Sequence, residues 1–247
     1  MPLSQVLLDN LLEKGLSRTQ AQRWLVFVCE AMQLLDDAAR ALNLDHHWAE
    51  LLAKVDGRGV QEPDITTELY LHMERVQESE PLTSPLRDLH VKCEDPIAAR
   101  NRAGRDTRAA DLVVANFRSE KALRFVMEAK LLRTAGDIGR AYLGPDGMEC
   151  YRDTDSPYSL HEVAGMLGYV RTETIETWHD RLRTGLHERM PLPVMSVGDV
   201  DLEPYGTECV YSDVSRQELG LVPLFLLHRI LPFPNDEPQQ EMANAAS

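Results

Sequence analysis

DLVVANF (111–117) and LRFVMEAK (123–130) are the two runs whose reading decides how this chain folds. Both are apolar and strand-like, and the polar stretch 118–121 between them suits a turn. Two strands joined so tightly are expected to pair antiparallel in the middle of a sheet. Asp111 begins the first run while Glu128 and Lys130 close the second, so pairing through the turn should bring the Asp near the Glu at one end of the sheet. Strand alternation then turns Glu128 and Lys130 to the same face.

Carboxylates on neighbouring strands can share one metal ion. A hard cation such as Mg²⁺ or Mn²⁺ takes oxygen ligands, here Asp111, Glu128 and the backbone carbonyl of Ala129. The Lys130 ammonium could orient or deprotonate a water and stabilise charge on a phosphate under attack. Of the five lysines, at 14, 54, 92, 121 and 130, only Lys130 follows an acidic residue by two positions.

Upstream, residues 86–94 have strand character and 95–108 form an arginine-rich connection. A helix is expected from about Asp64 to Glu78, with Ile65, Leu69, His72 and Val76 on its apolar stripe and Glu68 bordering the interior. Before it lies a helical N-terminal lobe, 1–58, with helices over 5–13 and 46–54. Its longest helix opens on the capping box Ser17/Gln20 and continues through Ala21, Leu25, Val28, Met32, Leu35, Ala39 and Leu42. Downstream, the Gly-, Pro- and Asp-rich segment 136–159 suggests a loop insertion over one edge of the site. A capping box at Ser159/Glu162 is expected to open a helix carrying Val163, Met166, Leu167, Val170, Ile175, Trp178 and Leu182. Strands follow near 194–200, 208–212 and 221–231. The core is thus drawn as 59–231, and 232–247 as a flexible tail.

The chain carries a net charge of −14, which argues against a surface that binds polyanions everywhere. Between Arg100 and Arg140, however, ten basic residues stand against five acidic ones, making a local positive patch. His90 and Cys93 have a ligand-like spacing without a second pair, and the four cysteines contain no CxxC, so neither zinc nor a disulfide scaffold is expected. His46 and His47 are adjacent on a helix and diverge. There is no G-x-S-x-G and no P-loop, so a serine hydrolase is unsupported and any ATP dependence would come from another chain. No run approaches the ~20 apolar residues of a membrane span, and no secretory signal is visible; a cytoplasmic location is expected.

Asp111, followed seventeen residues later by Glu128-Ala129-Lys130, with Glu68 on an upstream helix, resembles the PD-(D/E)xK nuclease superfamily. The resemblance covers roughly 60–231. It implies an α/β, restriction-endonuclease-like fold: a mixed β-sheet core flanked by helices, to which this chain adds its N-terminal lobe. It implies that Asp111 and Glu128 bind Mg²⁺ (or Mn²⁺), that Lys130 serves the attacking water, that Glu68 completes or orients the site, and that Tyr169, on the following helix, approaches the phosphates. Arg105, Arg108 and Arg133 of the positive patch are the other expected nucleic-acid contacts. Alanine rather than proline precedes Asp111, and the lobe and the 136–159 insertion lie outside the shared core. The expected activity is metal-dependent hydrolysis of phosphodiesters, in DNA sooner than RNA, by the nuclease subunit of a prokaryotic anti-phage defence or restriction-type complex. A protein partner (a sensor, helicase or ATPase subunit) is expected, with a homo-oligomer possible and no membrane. The alternative is a non-catalytic nucleic-acid-binding or assembly subunit on the same fold, with Glu128 and Lys130 as a structural ion pair.

Overall fold

The computed structural model describes residues 1–97, 108–117, 122–202 and 207–235. Among them, seven strands form one mixed sheet: β1 (His90–Pro96), β2 (Ala109–Asn116), β3 (Leu123–Leu132), β4 (Val163–Val170), β5 (Val194–Leu202), β6 (Thr207–Val214) and β7 (Leu224–Pro232), in the order β1-β2-β3-β4-β7-β6-β5. The chain is therefore α/β, with helices α1 (Leu3–Glu13), α2 (Arg18–Leu42), α3 (Asp45–Val55), α4 (Glu62–Ser79) and α5 (Ile175–His187) flanking the sheet. β1, β2 and β3 are antiparallel neighbours, β3, β4 and β7 run parallel, and β6 and β5 complete the sheet antiparallel. The DLVVANF and LRFVMEAK runs thus lie inside the sheet, as their apolar character requires.

Alternation sorts the strand residues between two cores. Leu112, Val114, Phe125, Met127 and Ala129 join a cluster that includes apolar residues of α1 to α4, so the N-terminal helices and one sheet face share an interior. Val113, Val126 and Leu132 point the other way, to Tyr142, Tyr151, Trp178 and Leu182. The long helix α2 begins at the capping box read from the sequence: Ser17 N–H donates to Gln20 Oε1 at 3.0 Å, and Gln20 N–H to Ser17 Oγ at 3.3 Å.

The helix expected from Ser159 to Leu182 is a correction. Residues 163–170 are strand β4, and the helix starts only at Ile175. VAGMLGYV is buried at all eight positions, because β4 is a parallel strand covered on both faces. Such a strand shows no alternation, and its apolar run mimics helical spacing by chance. Ser159 Oγ accepts from His161 N–H at 3.1 Å, a local turn instead of a helix cap.

Segment 136–159 also departs from a plain loop. It contains a π-helical turn, Ile138–Tyr142, and a 3-10 turn, Met148–Arg152, that cover one sheet face. Tyr142 and Tyr151 are fully buried there, donating to the carbonyls of Met166 at 3.0 Å and Gly165 at 2.6 Å. Residues 85–88 make a 3-10 turn, so β1 starts at His90 and not at 86. Phe233, beyond β7, is buried and stacked on Trp48, with ring centroids 5.6 Å apart. The turn 118–121, Arg105 and the tail from 236 lie outside the described residues. Among the described residues no helix is long and apolar enough to cross a membrane.

Candidate active site

β2 and β3 pair in register from Asn116↔Leu123 to Leu112↔Met127. One step further along the same register Asp111 stands opposite Glu128. There its carboxylate enters the ladder, and Oδ2 accepts the Ala129 N–H at 2.7 Å. The N–H and C=O of a strand residue point to the same side, so the Ala129 carbonyl also faces the Asp111 strand. Lys130 Nζ donates to Glu128 Oε1 at 2.6 Å, which brings the three residues of the motif to one end of the sheet.

A fourth group joins them from α4. Glu62 Oε1 lies 3.4 Å from Lys130 Nζ, and Glu62 Oε2 accepts the Leu131 N–H at 2.9 Å. Sequence reasoning missed this residue because it began the helix at Asp64. Gln61 is the true cap, its N–H donating to Asp64 Oδ2 at 2.9 Å, and Pro63 occupies the first turn. The available signal was that Glu62-Pro63 opens a helix, which fixes the acid at the helix start beside the end of β3.

Charge at this point is out of balance, with three carboxylates around one ammonium. Burial, reinforced by the nearby Asp111 charge, pushes Glu128 up to about 9 against the pull of Lys130. Burial also raises Asp111, opposed by the Ala129 N–H and Lys130, and raises Glu62, opposed by Lys130 and the Leu131 N–H. For Lys130 burial works against the charged form, but Glu128 and Glu62 outweigh it and hold the ammonium above its ordinary value. Glu128 is 4% exposed; its Oε2 is buried and receives no hydrogen bond from a donor of the chain, and in its protonated form the carboxyl is placed to bond the Asp111 carboxylate. An all-oxygen donor set with surplus negative charge and an orphaned carboxylate oxygen fits a hard divalent cation. Among the described residues no three His, Cys, Asp or Glu side chains form a ready-made metal cluster. Lys130 stands between Glu128 and Glu62 and keeps those two carboxylates engaged.

No family model matches this chain. Neither does any curated protein or solved structure. What can be said of the site therefore comes from its own geometry.

The other expected residues are placed as follows. Glu68 lies six residues beyond Glu62 on α4, about 9 Å along the axis, with Oε1 held by Lys54 Nζ at 2.5 Å. The α4 carboxylate at Lys130 is Glu62 instead. Tyr169 is on β4, not on a helix; it is fully buried, and its hydroxyl lies 3.0 Å from Thr66 Oγ1, so it faces the core and not a phosphate. Arg108 is held by Asp153, at 3.2 Å, and its Nη1 donates to Cys150 Sγ at 3.4 Å. Arg133 is exposed and donates to Gln61 Oε1 at 2.8 Å, next in sequence to Glu62, so it borders the site. All four cysteines are free, and burial raises each thiol, to about 11 for Cys150 and about 12 for Cys209. Tyr151 was not singled out from sequence. Its hydroxyl contacts the Val126 carbonyl at 3.3 Å as well as that of Gly165, tying β3 to β4 beside Glu128.

Proposed function

We propose that this chain is a divalent-metal-dependent endonuclease of the PD-(D/E)xK type, on a restriction-endonuclease-like fold, hydrolysing phosphodiesters in DNA. The observation that carries the proposal is the convergence of Asp111, Glu128 and Lys130 at one sheet end, with the two carboxyls close enough to perturb each other and Glu128 Oε2 receiving no donor of the chain. Asp111, Glu128 and the Ala129 carbonyl are the groups to hold Mg²⁺ or Mn²⁺, which when bound supplies Lewis-acid activation and charge neutralisation at the phosphate. Lys130 places a positive charge where a water attacks and where charge builds on the phosphate oxygens. Glu62, 3.4 Å from the Lys130 ammonium, is the second carboxylate that holds it. Arg133 at the rim suits a phosphate of the incoming strand. The acidic remainder of the chain supports recruitment by a partner, such as a sensor, helicase or ATPase subunit of an anti-phage or restriction-type complex. Cutting both strands of a duplex would call for paired copies.

The test is incubation of wild type, Asp111→Ala and Lys130→Ala with plasmid, linear and single-stranded DNA, and with RNA, in Mg²⁺, Mn²⁺ or EDTA. Metal-dependent cleavage lost in both variants is expected. A second reading, a non-catalytic nucleic-acid-binding or assembly subunit, is favoured by the engagement of Lys130 with both Glu128 and Glu62, which is also what a structural ion pair requires. Nucleic-acid or partner binding without cleavage under every metal condition would select it.

A further inference from the structure

Past Lys130 the chain leaves β3 and turns over one face of the sheet, and this turn carries exposed arginines. Arg133 stands three residues beyond Lys130, at most about 11 Å along the chain, and Arg140 follows in the π-helical turn with its side chain 81% exposed. By strand alternation Lys130 belongs to the same sheet face as Val126 and Leu132, the face that Ile138, Tyr142 and the apolar side of α5 cover. Between the turn and α5 lies a cleft of about 560 Å³. Gly136 and Gly139 line it from the turn, Thr177 and Thr184 from α5, and Glu188 and Arg189 from just past the end of that helix.

The groups along this cleft are within reach of a ligand. Gly136, Gly139 and Thr184 are exposed. A Cβ built on Gly139 meets nothing within 4 Å, and one on Gly136 meets only Thr134 Oγ1 at 3.8 Å, so another chain can pass close to the backbone there. Arg189 donates to the carbonyls of Gly185 at 3.0 Å and Gly139 at 3.1 Å; both acceptors are neutral, which leaves the guanidinium charge to attract an anion. The acids nearby are engaged. Asp137 accepts from the Arg133 and Thr134 N–H groups as well as from Arg140, and Asp180 pairs with Arg183 at 2.8 Å. A surface pair such as Arg140–Asp137 is weak, so Arg140 can exchange it for a phosphate. Guanidinium groups, hydroxyls and exposed backbone are what hold phosphodiester oxygens. The volume is that of a small-ligand cleft, which admits one strand and not a duplex.

We propose that a single DNA strand runs from the Lys130 end of β3 over the 133–140 turn and into the cleft against α5, with Arg133, Arg140 and Arg189 along its phosphates. The course of the strand rests on the nuclease reading, since the strand held in the cleft is the one presented to Asp111, Glu128 and Lys130. Glu188, in the same lining, opposes it as a like charge.

The test is fluorescence anisotropy of the full chain with a labelled oligothymidylate in EDTA over a range of salt, beside cleavage of the same strand in Mg²⁺ or Mn²⁺. Arg140→Ala and Arg189→Ala are each expected to weaken binding by roughly 3- to 10-fold and to lower the salt slope by about 0.7, the loss of one phosphate contact on a single strand. Gly139→Asp sets a negative charge in open space, so it should weaken binding at least ~3-fold with an unchanged melting temperature; it keeps the test decisive should Arg189→Ala lose its fold along with its carbonyl contacts. Glu188→Gln should tighten binding by about twofold. Arg23→Ala, an exposed arginine of α2 that lines a different groove, should change nothing. A wild type that binds no strand, undiminished affinity in Arg140→Ala and in folded Gly139→Asp, or an equal loss in Arg23→Ala would overturn the proposal. Metal-dependent cleavage that persists while the cleft variants bind as wild type does would remove the track and leave the nuclease reading. Binding that follows the track without cleavage in any metal would keep the strand site and remove the nuclease reading.

Discussion

Glu128→Gln should change the way stability depends on pH in the absence of metal, and the sign follows from the burial of Glu128. A carboxyl pushed up to about 9 in the folded chain, from an ordinary 4.5, favours folding in its protonated form. Below about pH 4.5 both states are protonated and nothing is lost; between pH 4.5 and 9 the unfolded chain sheds the proton more easily, so stability falls as pH rises. Each tenfold difference in proton affinity between the folded and unfolded chain is worth about 1.4 kcal/mol, which over this window sets a ceiling on the order of 6 kcal/mol. Relaxation and water entry reduce this to a few kcal/mol. For a chain of this size each kcal/mol moves Tm by roughly 2–4 °C. Wild type in EDTA should therefore lose on the order of 5–10 °C of Tm between pH 5 and 8.5. Glutamine keeps an oxygen for Lys130 and cannot ionise, so Glu128→Gln should flatten most of the decline. A residual slope of the same sign is expected from Asp111 and Glu62, both also raised by burial. The raised Lys130 adds nothing in this window, because its effect begins only near its ordinary value of 10.5. Thermal melts across pH with both proteins measure this directly. A wild-type Tm that stays level or climbs, or an equal slope in the variant, would refute the assignment of a buried, charge-crowded carboxyl at position 128.

Glu62→Gln, which weakens the hold on Lys130, should lower the metal-dependent cleavage rate by roughly 10- to 100-fold, while Glu68→Gln should leave it within about twofold; single-turnover cleavage of both variants distinguishes the two α4 carboxylates. Gly168→Ala would bring a Cβ within 2.6 Å of Ile230 Cδ1 and 2.9 Å of Leu132 Cδ1, so it should destabilise by about 1–3 kcal/mol, read as a lower urea midpoint with an unchanged slope. Tyr151→Phe removes the hydroxyl that bridges β3 and β4, and should cost about 1–2 kcal/mol by the same measurement. Ser17→Ala should cost about 1 kcal/mol through loss of the α2 cap.

Where local chemistry determines local structure, the sequence was sufficient. The Ser17/Gln20 box marks the start of α2, the apolar runs at 111–117 and 123–130 become adjacent antiparallel strands inside the sheet, and the spacing of Asp111, Glu128 and Lys130 agrees with the register that brings them together. It failed where burial removes the pattern. β4 is covered on both faces and so carries no alternation, and Tyr169 was drawn on a helix for that reason. It also started α4 two residues late, at Asp64, and so left Glu62 outside the helix and out of consideration beside Lys130.

What the residues determined by themselves is the α/β class, the central strand pair and the three side chains gathered at its end, since each depends on contacts close in sequence or on a period of two. Only the tertiary structure decided which α4 carboxylate faces Lys130, that β4 and β7 run parallel beside β3, and that Asp36 and Arg229 form a buried pair between α2 and β7. Those depend on how α2, α4 and β7 pack on and beside the sheet, and packing between segments from about forty to nearly two hundred residues apart leaves no periodic trace in the chain.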